Sequence, residues 1–182
     1  MRLTDKNIVL RAVEPNDATT LFIWENNPLN WRISHTEVPF SMHHIHQLIE
    51  QFSNPRVSGH IRFMIEHIAL SKSIGTIDLF DMNFKHGYAT IGVLIAETDQ
   101  RRKGYAEEAL NICLDYCKGH LELHNLQCFI HSDNVASIRL FKKLGFEKVG
   151  IRKDWYLYHG IRKDEIALQL CLKNRKINES SF

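Results

Sequence analysis

The most informative segment of the chain is residues 101–106, which read Arg-Arg-Lys-Gly-Tyr-Ala between an apolar run and an amphipathic helical pattern. A strand that ends in a glycine turn and opens a helix directs several backbone N–H groups to one point, where the helix dipole adds partial positive charge. Gly104 lets a ligand approach the backbone, and Ala106 keeps the following turn open. Three basic residues add charge at the same point: Arg101, Arg102 and Lys103. The segment predicts a phosphate-binding turn, although an ordinary turn with a solvated basic surface also fits these residues.

Two further segments lie upstream and downstream of this turn. Residues 88–96 form a short apolar, β-branched run that predicts a buried central strand, and Gly92 within it suits a bulge or a close backbone approach. Downstream, Asn134 is a good N-cap, apolar residues recur at helical spacing, and Gly145 stands where a left-handed residue ends a helix. A plain core strand and an ordinary capped helix fit each segment taken alone.

Taken together, the three segments resemble the GNAT superfamily of acetyl-CoA-dependent N-acetyltransferases. Arg-x-x-Gly-x-Ala at 101–106 is similar to the family's pyrophosphate-binding motif. Asn-x-x-Ser-x-x-x-Phe-x-x-x-Gly-Phe at 134–146 is similar to its second CoA-contacting helix. The resemblance runs from about Ile8 to Leu172. Leu-Arg near the start, followed by Asp17 and an aromatic-bearing helix, is similar to the branch that contains polyamine and ribosomal-protein N-terminal acetyltransferases.

The resemblance implies that acetyl-CoA is the cosubstrate. In the family, the diphosphate lies on the backbone of the glycine turn, and the pantetheine arm pairs with a central strand that splays from its neighbour. The thiol end lies beside the second helix. The cofactor-binding residues that this implies here are Val93, Leu94, Ile95, Gln100, Arg101, Arg102, Lys103, Gly104, Tyr105, Ala106, Asn134, Ser137 and Phe141.

Composition limits the classes of protein that the chain fits. It has 182 residues, of which 44% are apolar and 24% charged, as is typical of a soluble globular domain. A net charge of +2 is too small to predict nucleic-acid binding, and no apolar run approaches the ~18 residues of a membrane span. We expect a cytoplasmic protein, since the first residues lack a signal peptide's apolar core. The cysteines, which show no zinc-ligand spacing and are expected to be reduced and buried, are Cys113, Cys117, Cys128 and Cys171. The histidine cluster at 43–46 lacks acidic ligands and predicts no metal site.

The order of elements favours an α/β fold. Strands come first and a β-α-β-α-β-β order follows, which predicts one GNAT-like domain with a mixed, twisted sheet of about seven strands and helices on both faces. The resemblance adds splayed central strands. We expect the domain to span residues 1–172, with a polar tail at 173–182. The predicted strands are 7–13, 60–68, 74–80, 88–96, 126–131, 146–157 and 164–172. One predicted helix begins near Pro15, and three more span residues 42–52, 103–118 and 135–144. Residues 26–40 are predicted to form a loop.

Two side chains that often serve catalysis in the family are missing from the matching positions. The Tyr that protonates the leaving thiolate is replaced by Phe141, and the Glu at the start of the central strand is replaced by Thr90. Activity is compatible with both changes, because thiolate is a good leaving group and proximity supplies much of the acceleration. Asp78 and His131 are the candidate substitutes. The alternative for Asp78 is a solvated strand residue, and the alternative for His131 is a capping or satisfied core histidine. Further candidate proton donors are Tyr105, Tyr156 and Tyr158.

The acceptor site is expected between the 26–40 loop, the helix at 42–52 and the turn at 155–160. Acidic residues there would favour a cationic amine, and aromatic rings supply cation–π contacts or core packing. The candidate substrate residues are Glu25, Trp31, Glu37 and Tyr158. The first hypothesis is a polyamine such as spermidine, the second a protein N-terminal amine, and the third an acyl-CoA-binding domain that has lost catalysis. A homodimer is a further expectation of the resemblance.

Overall fold

The computed structural model describes residues 3–34 and 36–175. The strands of the described part are β1 (Leu3–Thr4), β2 (Ile8–Ala12), β3 (Ile61–His67), β4 (Lys72–Asn83), β5 (Tyr88–Ile95), β6 (Asn125–His131), β7 (Glu147–Tyr158) and β8 (Ile161–Cys171). The helices are α1 (Ala18–Glu25), α2 (Pro28–Ser34), α3 (Met42–Phe52), α4 (Pro55–Ser58), α5 (Tyr105–Gly119) and α6 (Val135–Lys143).

The strands form one mixed sheet in the order β1-β2-β3-β4-β5-β6-β8-β7. The β5–β6 pair is parallel, and the other neighbouring strands are antiparallel. The predicted α/β fold with a mixed sheet is confirmed. The sheet has eight strands rather than about seven, because Leu3–Thr4 pairs with Val9 and Leu10 as a short edge strand.

Helices cover both faces of the sheet. Along β3, Phe63 and Ile65 pack in the cluster that contains α5 and α6, whereas Met64 between them packs with α1 and α3. This alternation is what the two-residue period of a strand produces when both faces are buried. The Leu-Arg…Asp pattern near the N-terminus ties the start of α1 to β2 and β3, since Arg11 Nη1 lies 2.7 Å from Asp17 Oδ2 and Arg11 Nε lies 2.7 Å from Glu66 Oε2.

The segment predicted as a loop at 26–40 contains α2, so that prediction is wrong for residues 28–34. Pro28 stands at the start of this helix, where a missing N–H costs nothing, and the Asn27 side chain accepts a hydrogen bond from the Leu29 N–H at 3.0 Å. The helix is only seven residues long. Seven residues make only about two helical turns, too few for apolar residues to recur at helical spacing. The helix was therefore not visible in the sequence.

Two expectations about the C-terminal part need correction or restriction. Cys171 is exposed, because the residues on either side of it in the chain, Leu170 and Leu172, pack against the core. Cys113, Cys117 and Cys128 are buried, as expected. In the predicted tail, Arg175 Nε lies 2.9 Å from Asp115 Oδ1 of α5, which holds the start of the tail against the domain. Residues 176–182 of the tail lie outside the described residues. None of the described helices has the length and apolar content needed to cross a bilayer.

Candidate active site

The centre of the sheet opens between β5 and β6. The two strands pair only at Tyr88–Asn125, Ala89–Leu126 and Thr90–Gln127, although both continue for several residues, to Ile95 and His131. The part of β5 after Thr90 therefore presents a backbone edge that no described residue of β6 covers. A cleft of about 750 Å³ lies at this opening. The splayed central strands implied by the resemblance are confirmed.

The glycine turn lies at the N-terminus of α5, as predicted. Gly104 adopts a left-handed conformation, with φ of 91°, and a Cβ at this position would have no neighbour within 4 Å. The first N–H bonded within the helix is that of Glu108, which donates to the Gly104 carbonyl at 3.1 Å. The N–H groups of the preceding turn thus point outward from a positive helix end. An open glycine backed by such donors fits a diphosphate, and hence the CoA moiety.

The basic side chains of the turn serve different purposes. Arg101 faces the protein, since its Nε donates to the Ile95 carbonyl at 2.8 Å and its Nη2 donates to Asn30 Oδ1 at 3.0 Å. Lys103 Nζ donates to Gln100 Oε1 at 3.1 Å, and Arg102 is exposed with φ of 63°. Arg101 thereby ties the turn to β5 and α2, so the positive charge open to a ligand comes from the other two side chains.

The other predicted cofactor residues around the turn divide between backbone and core roles. Tyr105 directs its hydroxyl to His67 Nε2 at 2.9 Å, so its ring packs on β3 while its backbone opens the helix. Ile95 is buried, whereas Val93 and Leu94 line the cleft. Ala106 is partly buried against the main core.

Gly75 on β4 is a sterically required glycine beside the cleft strand β5 that the sequence analysis missed. A Cβ on this residue would lie 2.0 Å from the Leu94 carbonyl oxygen, so only glycine lets β4 approach β5 this closely. The position of Leu94 on the open edge of β5 depends on that approach. The signal was present, since a lone glycine inside a strand pattern marks a bulge or a close backbone contact.

The second predicted CoA-contacting helix borders the cleft. The Asn134 side chain accepts a hydrogen bond from the Ser137 N–H at 3.2 Å and thereby caps α6. Both residues line the cleft together with Phe141. This residue is 4% exposed, and its ring packs edge to face on Phe146 with centroids 5.0 Å apart. Thr90 is buried and accepts from Gln127 Nε2 at 3.1 Å. The phenyl ring and this hydroxyl cannot replace the missing phenol and carboxylate.

An ion-paired wall forms the side of the cleft opposite α6. Arg62 stands between two carboxylates, with Nη1 2.6 Å from Glu25 Oε1 and Nε 2.6 Å from Asp78 Oδ1. His60 Nε2 lies 2.7 Å from the same Asp78 oxygen. Burial acts to raise the pKa of Asp78, but the charge and hydrogen bonds of Arg62 and His60 outweigh it and hold that pKa below its usual value. Asp78, a predicted catalytic residue, therefore lies in the cleft as a firmly ionised carboxylate.

A second polar group borders the cleft where β6, β7 and β8 meet. The ring of His131, the other predicted catalytic residue, is buried and stacks on Tyr156 with centroids 3.8 Å apart. The Tyr156 hydroxyl donates to Glu165, which also pairs with Arg152 at 2.8 Å. Burial, followed by the hydrogen bond and charge of Glu165, raises the pKa of the Tyr156 phenol. This phenol keeps its proton at neutral pH.

The four predicted substrate residues occupy different places. Glu25 and Glu37 line the cleft. Trp31 donates its indole N–H to the Glu25 carbonyl at 2.7 Å, and Tyr158 lies next to the β7–β8 turn with its ring 4.2 Å from that of His159. Among the described residues, neither aromatic side chain belongs to the cleft lining. The aromatic rings that do line the cleft are Phe40, Phe52, Phe80, Phe129, Phe141, Trp155 and Tyr156.

The cleft carries excess negative charge. Its lining contains four carboxylates against two guanidinium groups, which leaves two negative charges with the histidines neutral. The carboxylates are Glu25, Glu37, Asp78 and Glu165, and the guanidinium groups are Arg62 and Arg152. Such a lining attracts cations more strongly than anions.

Comparison with known proteins agrees with this geometry. The family model described as an acetyltransferase (GNAT) domain matches residues 7–147. The chain belongs to the GNAT acetyltransferase family. As a member it is an acetyl-CoA-dependent N-acetyltransferase, and acetyl-CoA is its cosubstrate.

Several GNAT relatives match over most of their length. The spermidine N(1)-acetyltransferase of Vibrio cholerae is 25% identical over 178 residues, which are 97% of this chain and 99% of the relative. An uncharacterized N-acetyltransferase of Bacillus subtilis, YoaA, is 29% identical over 88% of this chain and 90% of its own. A crystal structure of the Vibrio cholerae spermidine N-acetyltransferase with CoA and spermine superposes with a TM-score of 0.83 at 23% identity, covering 91% of this chain and 95% of that one.

Proposed function

We propose that this GNAT enzyme transfers the acetyl group of acetyl-CoA to a primary amine of a polyamine such as spermidine. The observation that carries the proposal is the negative charge of the cleft lining, which suits an acceptor with several ammonium groups. Ammonium groups that leave water need carboxylate partners, because an unpaired buried charge is very costly. Similarity to a spermidine acetyltransferase over nearly the full length of both chains supports the same acceptor.

The proposal assigns the two sides of the cleft to the two substrates. The backbone donors around Gly104 would hold the diphosphate, and the open edge of β5 at Val93 and Leu94 would pair with the pantetheine arm. Asn134 and Phe141 would border the thiol end. When bound, acetyl-CoA supplies an activated acetyl thioester. The chain's own contribution is to position the amine against it and to exclude competing water.

A protein N-terminal amine is the second candidate. The acceptor side of the cleft contains apolar side chains from α3 and β7, Leu48, Phe52 and Trp155, that would suit the side chains of a peptide. The charge of the cleft distinguishes the two candidates, since a peptide brings one ammonium group whereas spermidine brings three.

Release of CoA thiol, measured against spermidine, spermine, simple alkylamines and peptides with free N-termini, tests the proposal. We expect polyamines to be acetylated with the highest kcat/KM. Turnover of peptides but not of polyamines would overturn the proposal in favour of the second candidate, and lack of turnover with every amine would support a domain that has lost catalysis.

Glu37 provides a sharper test on the same substrate. It is an exposed carboxylate of the cleft lining, so Glu37→Gln is expected to raise the KM for spermidine about two- to fivefold and to weaken its salt dependence. The affinity for acetyl-CoA should not change. Glu50→Gln, at an exposed position on α3 outside the cleft lining, is the matched control and should leave the KM unchanged.

The proposal includes a cytoplasmic location and retains the homodimer as a prediction. The described part of the chain contains four free cysteines, which is typical of a protein that stays in a reducing compartment. Sedimentation of the purified enzyme measures whether it pairs.

A further inference from the structure

His60 lines the same cleft as Thr90, the residue that replaces the family's glutamate. The cleft therefore lacks the usual base, and His60 is a basic side chain within it. His60 directly precedes β3, and its ring is packed edge to face on Phe52 of α3, with centroids 4.8 Å apart, and near Phe80 of β4. Its side chain is 27% exposed, so it reaches the cleft while its ring is held on two sides. Nothing in the sequence pattern distinguished this histidine from the other ten.

The polar surroundings of His60 come from three elements. Asp78 of β4 lies 2.7 Å from its Nε2, Arg62 of β3 contacts the same carboxylate oxygen, and Glu25 of α1 balances Arg62 from the other side. The α3 side contributes the apolar Phe52 ring. A carboxylate that accepts from one imidazole nitrogen orients the ring and leaves the other nitrogen as the basic one. Arg62 holds the Asp78 carboxylate in place and lowers its pKa.

The register of the sheet places this pair beside the opening of the central strands. Asp78 is the Cα partner of Gly92, which lies two residues after the last β5–β6 pair at Thr90. Gly92 lines the cleft, and a Cβ there would only touch the Phe80 ring at 3.6 Å. The His60–Asp78 pair therefore faces the stretch of β5 along which the acetyl-bearing arm is proposed to lie.

We infer that His60 is the general base of the reaction, with Asp78 as the positioning residue that orients it; the inference rests on the proposed function only in requiring a protonated amine as acceptor. Nδ1 of His60 takes one proton from the ammonium group, directly or through one water. The freed electron pair of the nitrogen forms the C–N bond to the acetyl carbon while the C–S bond breaks. The second proton lost by the nitrogen goes to the CoA thiolate, and His60 returns its own proton to solvent.

The other candidate bases are less well placed for this role. Asp78 is held ionised by Arg62 and His60, and a carboxylate whose pKa is lowered accepts a proton poorly at neutral pH. His131 is buried under the Tyr156 ring on the far side of the cleft. His60 combines access to the cleft with an orienting carboxylate, which is the arrangement that general bases share.

A pair of acceptors tests the base role directly. His60→Gln retains an N–H that can reach Asp78 but has no basic nitrogen. We expect kcat/KM for spermidine, or for whichever alkylamine the enzyme prefers, to fall at least 100-fold. The aminooxy analogue of the same amine is uncharged at its reacting nitrogen at neutral pH and needs no base, so its kcat/KM should fall by less than about fivefold.

The controls separate this inference from the proposed function and from loss of folding. His43→Gln, at an exposed position on α3 outside the cleft lining, should leave both rates unchanged. Acetyl-CoA affinity of His60→Gln should match that of the wild type, and its far-UV circular dichroism should show that the fold is retained. In the free enzyme, ¹⁵N NMR should show His60 protonated on Nε2, a readout that needs no turnover.

Two results would overturn the assignment. Equal losses for the alkylamine and its aminooxy analogue would make His60 a structural residue, and unchanged rates with both would place the base elsewhere. If polyamines are not substrates but another alkylamine is, the proposed acceptor fails while the same pair of measurements still decides the role of His60.

Discussion

The two sides of the cleft are built by different means. On the proposed cofactor side, the site consists mainly of backbone: the turn at Gly104, the helix end that follows it, and the open edge of β5. On the proposed acceptor side, it consists of charged side chains, in which Arg62 pairs with Glu25 and Asp78, and His60 pairs with Asp78. The first side depends on the backbone conformation of short segments, whereas the second depends on charged side chains that pair with one another.

This difference determines how each side responds to change. A backbone site is lost when a side chain fills the space of the ligand or when a strand shifts. A charge network is lost when one member is removed, because its partners remain partly buried without compensation. The following substitutions test that contrast, from the largest expected effect to the smallest.

Gly104→Val should have the largest effect, on cofactor binding. The new side chain would enter the open space beside the turn, where no described residue other than its chain neighbours lies within 4 Å of a Cβ, and it would be strained at φ of 91°. We expect the Kd for acetyl-CoA, measured by calorimetry, to rise at least 100-fold, while the far-UV circular dichroism is retained.

Gly160→Val is the matched control for strain. Gly160 has φ of 77° and equally open surroundings, but it lies in the β7–β8 turn. Both variants should lose a similar amount of stability, about 1–3 kcal/mol, and only the first should lose affinity. Unchanged affinity in Gly104→Val would contradict the backbone description of the cofactor side.

Arg62→Gln should mainly affect stability. Removing this cation leaves Glu25 and Asp78 facing each other in a partly buried site, so we expect the free energy of unfolding to fall by about 3 kcal/mol in urea denaturation. Arg102→Gln removes the same charge from an exposed position of the cofactor turn and should change stability by less than about 0.5 kcal/mol. Equal effects would remove the contrast between the two sides.

Phe141→Tyr probes the position of the missing phenol. Because the Phe141 ring borders the cleft, we expect the new hydroxyl to face it, to leave stability within about 1 kcal/mol and to raise kcat a few-fold by donating to the thiolate. Phe141→Ala should cost roughly 3–5 kcal/mol, since the ring packs on Phe146. A loss in the Tyr variant as large as that in the Ala variant would show that the edge of the ring faces core.

The smallest expected effect is the contribution of Asp78 to the pH dependence of stability in acid. Because Arg62 and His60 hold the pKa of Asp78 below its ordinary value against the opposing effect of burial, the unfolded chain binds this proton first as the pH falls. The stability contributed by Asp78 is therefore present above about pH 4 and is lost as the pH falls through the folded value. Asp78→Asn should show a shallower decline of Tm between about pH 5 and pH 2.5 than the wild type, and Asp5→Asn, at an exposed position, should follow the wild type.

The elements predicted from the sequence were those with local signals. The strand at 88–96, the helix after Gly104 and the helix between Asn134 and Gly145 all appear within a few residues of their predicted ends. Each combines an apolar period with a cap or a glycine. α2 and β1 were missed because they are seven and two residues long, too short for a period to be seen.

The acceptor wall could not be predicted in the same way. Arg62 lies 37 residues from Glu25 and 16 from Asp78 along the chain, and His60 lies 18 from Asp78. A lone Arg or His on a strand has no neighbour pattern that distinguishes a site from a solvated surface. Arg101 shows the opposite case. It belongs to the recognised motif, but its side chain donates hydrogen bonds within the protein, to the Ile95 carbonyl and to Asn30 Oδ1.

The amino-acid sequence by itself determined the family, the cosubstrate and the place where the central strands part, because these depend on the conformation of short, continuous segments. Only the tertiary structure decided which carboxylates share Arg62, which histidine reaches Asp78, and that Trp31 packs on the backbone of α1 instead of lining the cleft. A turn or a strand is specified by neighbours along the chain. A charge in a cleft is specified by whichever distant residues the folded sheet brings within about 3 Å of it.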